Sequence, residues 1–575
     1  MCRTAVAPTT STTTAHPASA CVRATTPSTC GTRTILTPCC PSAVRILITS
    51  APSCGSATLA TCLLPDNLLI LSQLKQDEVY QNYFKWFLAI TQIHHPTFDC
   101  VPIANKVCEW LDKLNTPYEK DEYNNIVVRL KSNDFPENAP VVAIQTHLDM
   151  VWVGEQVDGK IKVDLIKDFK TPEGKIIEVL QAKKSTLGAD DAFGIALCLD
   201  IIENKDKIKH GPLEIIMTTD EEQGLIGAKK LPKKGDNTGK IKEFKFKYLI
   251  NCDCLLSDKI YVSCPGCELF NIKLFPESEK INNDKKLEVN INLENFLGGH
   301  SGATIQKGQA NPIKWISHIL NFLKVNKIKY QIININGGQI MNAIPTHCSC
   351  TFIIEEQDKN NVENILKKNL EELKQDFPIE KDIKISLDIK PLTKETKALT
   401  EQSSLQFINV LTSIRHGILR MHPVFKDKVD SSLNLAVVKL NTAEKDEIII
   451  TCLSRASTNT EFDKIDFAMK SILEMTPLKN ELITYTGAPW PFKPGSKLAP
   501  IMSEIAKAKY NLNLEQGLTQ VTIECPTFIS LGYDADIVAI CSNIPLAHCI
   551  GEYLDINESI IYRDIILKSI EKLTE

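Results

Sequence analysis

Leu213-Glu-Ile-Ile-Met-Thr-Thr-Asp220-Glu221-Glu222 is an apolar run of strand length that ends in three consecutive acids. Adjacent carboxylates repel, so a buried strand end of this kind calls for a cation. Val141-Val-Ala-Ile144 upstream runs into Gln145-Thr-His147-Leu-Asp149. In extended chain residues i and i+2 share a face, which points His147 and Asp149 the same way. A carboxylate beside an imidazole fixes the ring's tautomer and raises its basicity. Leu187-Gly-Ala-Asp190-Asp191 lies between these two stretches and immediately precedes a helical run, Ala192 to Ile202. By itself an acid there reads either as a helix N-cap or as a metal-bridging carboxylate. Downstream, Tyr248-Leu-Ile-Asn-Cys-Asp253 again ends a strand in a carboxylate. Strands alternating with helices imply an α/β fold with a mainly parallel or mixed sheet. In such sheets sites form at the edge where these acids and His147 fall.

Outward from this centre, Val79, Tyr83, Phe87 and Ile90 share one helical face, as do Ile103, Val107, Trp110, Leu111 and Leu114. Asp99 is placed to cap the second of these helices. Segments 286–294, 328–335 and 346–354 read as strands of a different unit, with helices at 303–324 and 359–375. The polar stretch 356–400 carries no chemical signal. At ~150 residues per domain, 575 residues suggest three or four folding units.

The N-terminal stretch is different material. Residues 1–65 hold no Asp or Glu and four of the nine arginines. Arg- and Ser-rich, acid-poor composition fits an organelle transit peptide, but no amphipathic helical period accompanies it. Residues 1–72 therefore read as a low-complexity, disordered leader, and the protein as cytoplasmic, with organelle targeting the alternative. The net charge of −5 provides no field for phosphate backbones, so nucleic acid is not expected as a partner. No run of ~18 apolar residues exists, so no membrane span is expected.

Seven of the twenty cysteines precede residue 75; the other thirteen lie mostly in apolar runs and read as buried and reduced. Cys264-Pro-Gly-Cys267 has C-x-x-C spacing, but no second such pair follows it at the distance a zinc finger needs. Four α/β segments each deliver an acid or a His at a strand or turn end. A mixed His/carboxylate set suits zinc or a similar divalent ion, and two ions would need about this many ligands.

The strings THLDMV (146–151), STLGADDAFGIAL (185–197), HGPLEIIMTTDEEQGLIGAKKL (210–231) and LINCDC (249–254), in this order, resemble the aminoacyl-histidine dipeptidases. That group belongs to a two-metal exopeptidase family with carnosinases and acylase-type deacylases. FLGGHSG (296–302), GGQIMNAIP (337–345), LSRAS (453–457) and AHCIGE (547–552) extend the resemblance over residues 76–575. It implies a mixed-sheet catalytic domain of residues 76–267 and 478–575, with an inserted α+β lid domain of residues 268–477. His147, Asp190, Glu222, Asp253 and His548 would be metal ligands, with Asp190 bridging two divalent ions: zinc, or else cobalt or manganese. Asp149 would orient His147, and Glu221 would be the general acid/base. His300, on the lid, would polarise the scissile carbonyl, while Asn342 and Arg455 would bind the peptide, Arg455 through its carboxylate. The substrate would be a dipeptide of Xaa-His type, and the resemblance leaves room for a homodimer.

Two segments depart from the family. Its H-A-G-L-E-C-G is here Gln520-Val-Thr-Ile-Glu524-Cys-Pro526, and its Gly-Pro ahead of His548 is Cys541-Ser542. These changes leave every implied ligand in place and bear on substrate range. They keep two other functions open: an amidohydrolase of N-acyl amino acids, and a catalytically silent peptide-binding paralogue.

Overall fold

The computed structural model describes residues 65–575 except 156–159, 283 and 442–444. Two hydrophobic cores organise it, each built on one sheet. The three or four units suggested by length become two because the first core is assembled from segments that precede and follow the second.

The first sheet has eight strands, in the order Tyr118–Lys120, Ile126–Leu130, Leu213–Thr218, Val142–His147, Tyr248–Asn251, Asp536–Ala539, Lys259–Ser263 and Glu515–Leu518. Val142–His147 pairs in parallel with Leu213–Thr218 on one side and Tyr248–Asn251 on the other. Tyr248–Asn251 in turn pairs in parallel with Asp536–Ala539. The central strands therefore end on one edge, and the outer ones make the sheet mixed. Strands Val142–His147 and Leu213–Thr218 are buried along their whole length, as strands covered on both faces must be. The helix Ala189–Glu203 packs close to this sheet at Gly194, where a Cβ would stand 2.6 Å from Thr146 Oγ1 and 2.7 Å from Cys252 Cβ. Only glycine permits that approach.

The second sheet is antiparallel. Its strands run in the order Lys384–Pro391, Lys286–Glu294, Cys348–Glu355, Gln331–Gly337, Val429–Asn441, Lys445–Ala456, Gly266–Phe275 and Lys479–Gly487, with Gly417–Met421 pairing beside Val429–Asn441. Gly266–Phe275 alternates buried and half-buried residues, the period of a sheet packed on one face. Helices Pro312–Val325, Lys359–Asp376, Glu401–Ser413 and Asn459–Met475 contribute to this core. The α/β class with an inserted α+β domain holds. Its second boundary differs: the strand Lys479–Gly487 belongs to the inserted sheet, so the chain returns after residue 487 rather than after 477. Entry and exit lie side by side, with Cys264 and Trp490 exchanging backbone hydrogen bonds at 3.1 and 3.0 Å.

Other local expectations also shift. Residues 1–64 lie outside the described residues, but 65–72, assigned above to the leader, belong to the helix Pro65–Gln73. That helix buries Ile70, and Asn67 donates to the Leu88 carbonyl at 3.0 Å. Asp99 does not cap Val101–Lys113; Cys100 holds the cap position without a side-chain hydrogen bond, and Pro102 lies in the first turn. The helix expected at 303–324 begins at Pro312, because Asn311 accepts from the N–H groups of Ile313 and Lys314. All thirteen described cysteines are unpaired, and all but Cys267 and Cys549 are buried.

Candidate metal centre

Five segments, carrying His147, Asp190, Glu221 with Glu222, Asp253 and His548, converge at the carboxyl edge of the first sheet. His147 is the last residue of its strand; its Nδ1 lies 3.0 Å from the Asp149 carbonyl and 3.5 Å from Asp149 Oδ1. The Asp149 carboxylate also accepts the backbone N–H of Glu221 at 2.9 Å and of Glu222 at 3.3 Å, tying two strand ends together. The strand ends at Thr218, and Asp220 turns at φ 54. Glu221 and Glu222 therefore lie beyond the strand, where this turn and not strand alternation sets their directions.

Asp190 and Asp191 also divide their labour. Asp191 Oδ1 accepts the N–H of Gly194 at 2.9 Å, the bond of an N-cap, and its other oxygen meets Thr146 Oγ1. The Asp190 side chain is thereby left to the site. Its Oδ1 lies 3.0 Å from His147 Nε2 and its Oδ2 lies 3.1 Å from His548 Nε2. One carboxylate thus presents a different oxygen to each of two histidines. His548 stands in the left-handed region at φ 64, and its Nε2 is also 2.8 Å from Glu222 Oε1. Two ligand groups share Asp190: His147, Asp190 and Asp253 form one, and Asp190, Glu222 and His548 the other. Within each, the donor atoms lie within 4.8 Å of one another; atoms of His147, Glu221 and Glu222 also meet this limit. No such group among the described residues contains a cysteine, so Cys264 and Cys267 make no metal site there.

Asp190 and Asp253 are each 6% exposed and Glu221 is 8% exposed. Burial, with Asp253, Glu222 and Glu524 nearby, pushes the Glu221 carboxyl well above the usual range. Burial and Asp190 do the same to Asp253, and they raise Glu222 as well. Burial opposes protonation of His147, yet the carboxylates of Asp149 and Asp190 outweigh it and raise the ring well above its ordinary value. His548 is likewise held up, to about 10, by Asp190 and Glu222 against its burial. The carboxylates around both histidines thus favour positive charge between imidazole and carboxylate. Nitrogen and oxygen donors at this spacing, around one shared carboxylate, suit a pair of such ions.

The lid residues gather separately. Gly299–His300 pairs with Ala343–Ile344, which sets Asn342 beside His300; the Asn342 carbonyl accepts the Ser301 N–H at 2.8 Å. Gly298 and Gly299, at φ 59 and 133, make the turn into this ribbon. His300 Nδ1 accepts the N–H groups of Gly302 at 3.2 Å and Ala303 at 3.1 Å. A nitrogen that accepts carries no proton, so the neutral ring bears its hydrogen on Nε2. Burial and the nearby Arg455 lower the His300 pKa and keep the ring neutral. Arg455 makes no ion pair among the described residues, and its Nε is buried without a hydrogen-bond partner. A Cβ on Gly302 would stand 3.0 Å from Arg455 Cζ and 2.8 Å from the Gln520 carbonyl, so the ribbon rests against the returning catalytic segment.

The departures from the family fall around this centre. Glu524 is buried and accepts from Thr218 Oγ1 at 2.5 Å and from Gln145 Nε2; burial raises its carboxyl to about 8. Pro526 occupies the first turn of the short helix Cys525–Ser530, where its missing N–H costs nothing. Cys541 Sγ lies 3.0 Å from the Sγ of Cys254, the residue after Asp253. Sequence reasoning missed Asp191 as the cap and Glu552, whose carboxylate reaches back to the Asp190 loop. An acid four residues after His548 is visible in the sequence, but nothing local says where it folds.

Residues 125–271 match the family model described as Peptidase family M28, and residues 291–381 match the Peptidase dimerisation domain. The chain is a homologue of the cytosol non-specific dipeptidase of Escherichia coli (strain K12). They are 27% identical over 489 residues, spanning 84% of this chain and 95% of that protein. The crystal structure of aminoacylhistidine dipeptidase from Vibrio alginolyticus has the same fold, with a TM-score of 0.75 at 22% identity, over 87% of this chain and 98% of that one.

Proposed function

We propose that this homologue of the E. coli dipeptidase is a peptide-bond hydrolase that cleaves dipeptides with two divalent ions, zinc by donor type. The observation that carries the reading is Asp190, whose two oxygens face His147 and His548 from opposite sides. His147, Asp190 and Asp253 would hold one ion, and Asp190, Glu222 and His548 the other. Bound there, the ions would supply Lewis acidity and an activated water.

The remaining steps belong to the chain's own residues. Glu221 takes a proton from the attacking water and passes it to the nitrogen of the departing amine, which otherwise leaves poorly. Its raised pKa suits a group that must hold a proton between the two transfers. Asp149 orients His147 and fixes the backbone of both glutamates. The Nε2–H of His300 donates to the scissile carbonyl oxygen as negative charge develops on it. Arg455, a cation without a carboxylate partner among the described residues, receives the carboxylate of the peptide, and Asn342 lies beside His300 to hold its backbone.

The deciding experiment is a panel of Xaa-His and other dipeptides set against N-acetylated amino acids, each with zinc, cobalt and manganese. Turnover of dipeptides, abolished by chelation and restored by metal, is the expected result; turnover of the N-acetyl series alone would make the protein an amidohydrolase. Native mass spectrometry should find two ions per chain, and Asp190→Ala should lower bound metal as well as rate. One tight ion and no second site in the wild type would end the bridging role of Asp190. The match of residues 291–381 to a dimerisation domain supports a homodimer, which light scattering tests. The E. coli relative is named a cytosol enzyme, which supports a cytoplasmic location here. No described helix is long and apolar enough to cross a membrane.

A further inference from the structure

Glu552 is almost completely buried, at 1% exposure, yet it lies on none of the strand ends that deliver the metal-centre residues. Its Oε2 accepts the backbone N–H of Leu187 at 2.8 Å and of Gly188 at 3.1 Å, and its Oε1 accepts that of Ala189 at 2.8 Å. Three successive N–H groups thus converge on one carboxylate, in the manner of a backbone nest around an anion. The nest ends one residue before Asp190, and Glu552 lies four residues after His548. One side chain therefore spans two of the segments that face each other across the centre.

The surroundings make this link stiff. Residues 553–555 pair antiparallel with 179–181, and Gln181 Nε2 donates to the Gly551 carbonyl at 2.8 Å. The Ala182 N–H bonds the Glu552 carbonyl at 3.2 Å. These contacts hold the two segments side by side, and the Gly551 N–H reaches on to the Ser185 carbonyl at 3.4 Å, but none of them touches the backbone of residues 187–189. Gly188 turns that loop at φ 69, with Met150 Sδ 2.7 Å from where a Cβ would be. Beyond Ser185, the Glu552 carboxylate holds the N–H groups of Leu187, Gly188 and Ala189 to the His548 segment.

We propose that Glu552 is a positioning residue for the metal centre: it clamps the Leu187–Ala189 backbone so that the two Asp190 oxygens stay aimed at His147 and His548. This rests on the reading of the site as a two-ion centre. Groups behind a ligand typically change metal affinity by ~10–100-fold when altered. Glu552→Gln keeps the shape but replaces an accepting oxygen with an N–H₂ that faces backbone donors.

The test is a competition titration of metal-free protein with zinc against a chelating dye, alongside melting temperature and hydrogen exchange. Glu552→Gln should bind zinc ~10–100-fold more weakly, and the 187–189 amides should exchange faster. At saturating zinc, kcat should recover and the dipeptide KM should stay at the wild-type value. Glu552→Asp, which keeps the charge with shorter reach, should lose less affinity than Glu552→Gln. If Glu552→Gln fails to fold, Glu552→Asp decides in the same titration, and wild-type affinity overturns the proposal. A lowered melting temperature with zinc affinity within about twofold of wild type also overturns it, since that is a structural role alone. The titration needs no substrate, so an absence of dipeptide turnover would leave the positioning role standing. Wild-type protein that binds no zinc would remove the two-ion reading and this role together.

Discussion

Glu221 and Glu222 are adjacent, yet Glu222 faces His548 and Asp190 while Glu221 is pressed among carboxylates. Glu221→Gln cannot accept a proton, so it should lose ~10²–10⁴-fold in rate, or roughly 3–5 kcal/mol in the barrier, with both ions retained. Glu222→Gln weakens a ligand, and excess metal should restore part of its activity. A metal titration of the two variants tells them apart; rescue of Glu221→Gln by metal would remove it as the base. The histidines make a second prediction. His147 and His548 hold protons in the metal-free protein, His548 up to about pH 10, and ligation requires neutral imidazole. Zinc uptake near pH 7 should therefore release protons, and affinity should climb as pH rises towards that value. Calorimetry in buffers of different ionisation heat reads the release directly, and heats independent of buffer would contradict it.

At the scale of elements, the parallel strands deliver the proposed metal-centre residues, and the His300 ribbon of the inserted domain rests against Arg455 and the Gln520 carbonyl. Gly302 is the contact point between that ribbon and the returning catalytic segment. Gly302→Val would push its side chain into the Gln520 carbonyl and the Arg455 guanidinium, so the ribbon must move. Displacement of about 1 Å is enough to cost ~10²-fold. The expected outcome is a fall of that order in kcat/KM with two ions still bound, checked by steady-state kinetics and native mass spectrometry. Unchanged kcat/KM would detach the ribbon from substrate binding. Helix starts depend on caps that apolar periodicity does not encode. Asn311-Pro312 sets the helix start nine residues after the expected position 303, because a satisfied cap outweighs periodicity. Asp99 looked like a cap, but the chain turns so that Cys100 takes that place.

At the scale of the whole molecule, removing residues 1–64 should leave activity and melting temperature nearly unchanged, since they supply no proposed ligand. Extending the deletion through Gln73 removes the buried Ile70 and the Asn67–Leu88 hydrogen bond, and should cost roughly 2–4 kcal/mol. Thermal melts of the two truncations check this; equal stability would mean the helix Pro65–Gln73 contributes nothing. The sequence by itself determined the strand ends and their chemistry, because an apolar run closing on His147, on Glu221 and Glu222 or on Asp253 is a local pattern with a local cause. Its strand and helix pattern also marked 286–294, 328–335 and 346–354 as a different unit, and the family resemblance made that unit an inserted domain. Only the tertiary structure decided that Asp190 faces two histidines while Asp191 caps the helix, and that Glu552 returns to the loop at residues 187–189. It alone set the domain's return after residue 487. The physical reason is separation along the chain: Glu552 meets Ala189 across 363 residues, and no local periodicity or propensity encodes a hydrogen bond over that distance.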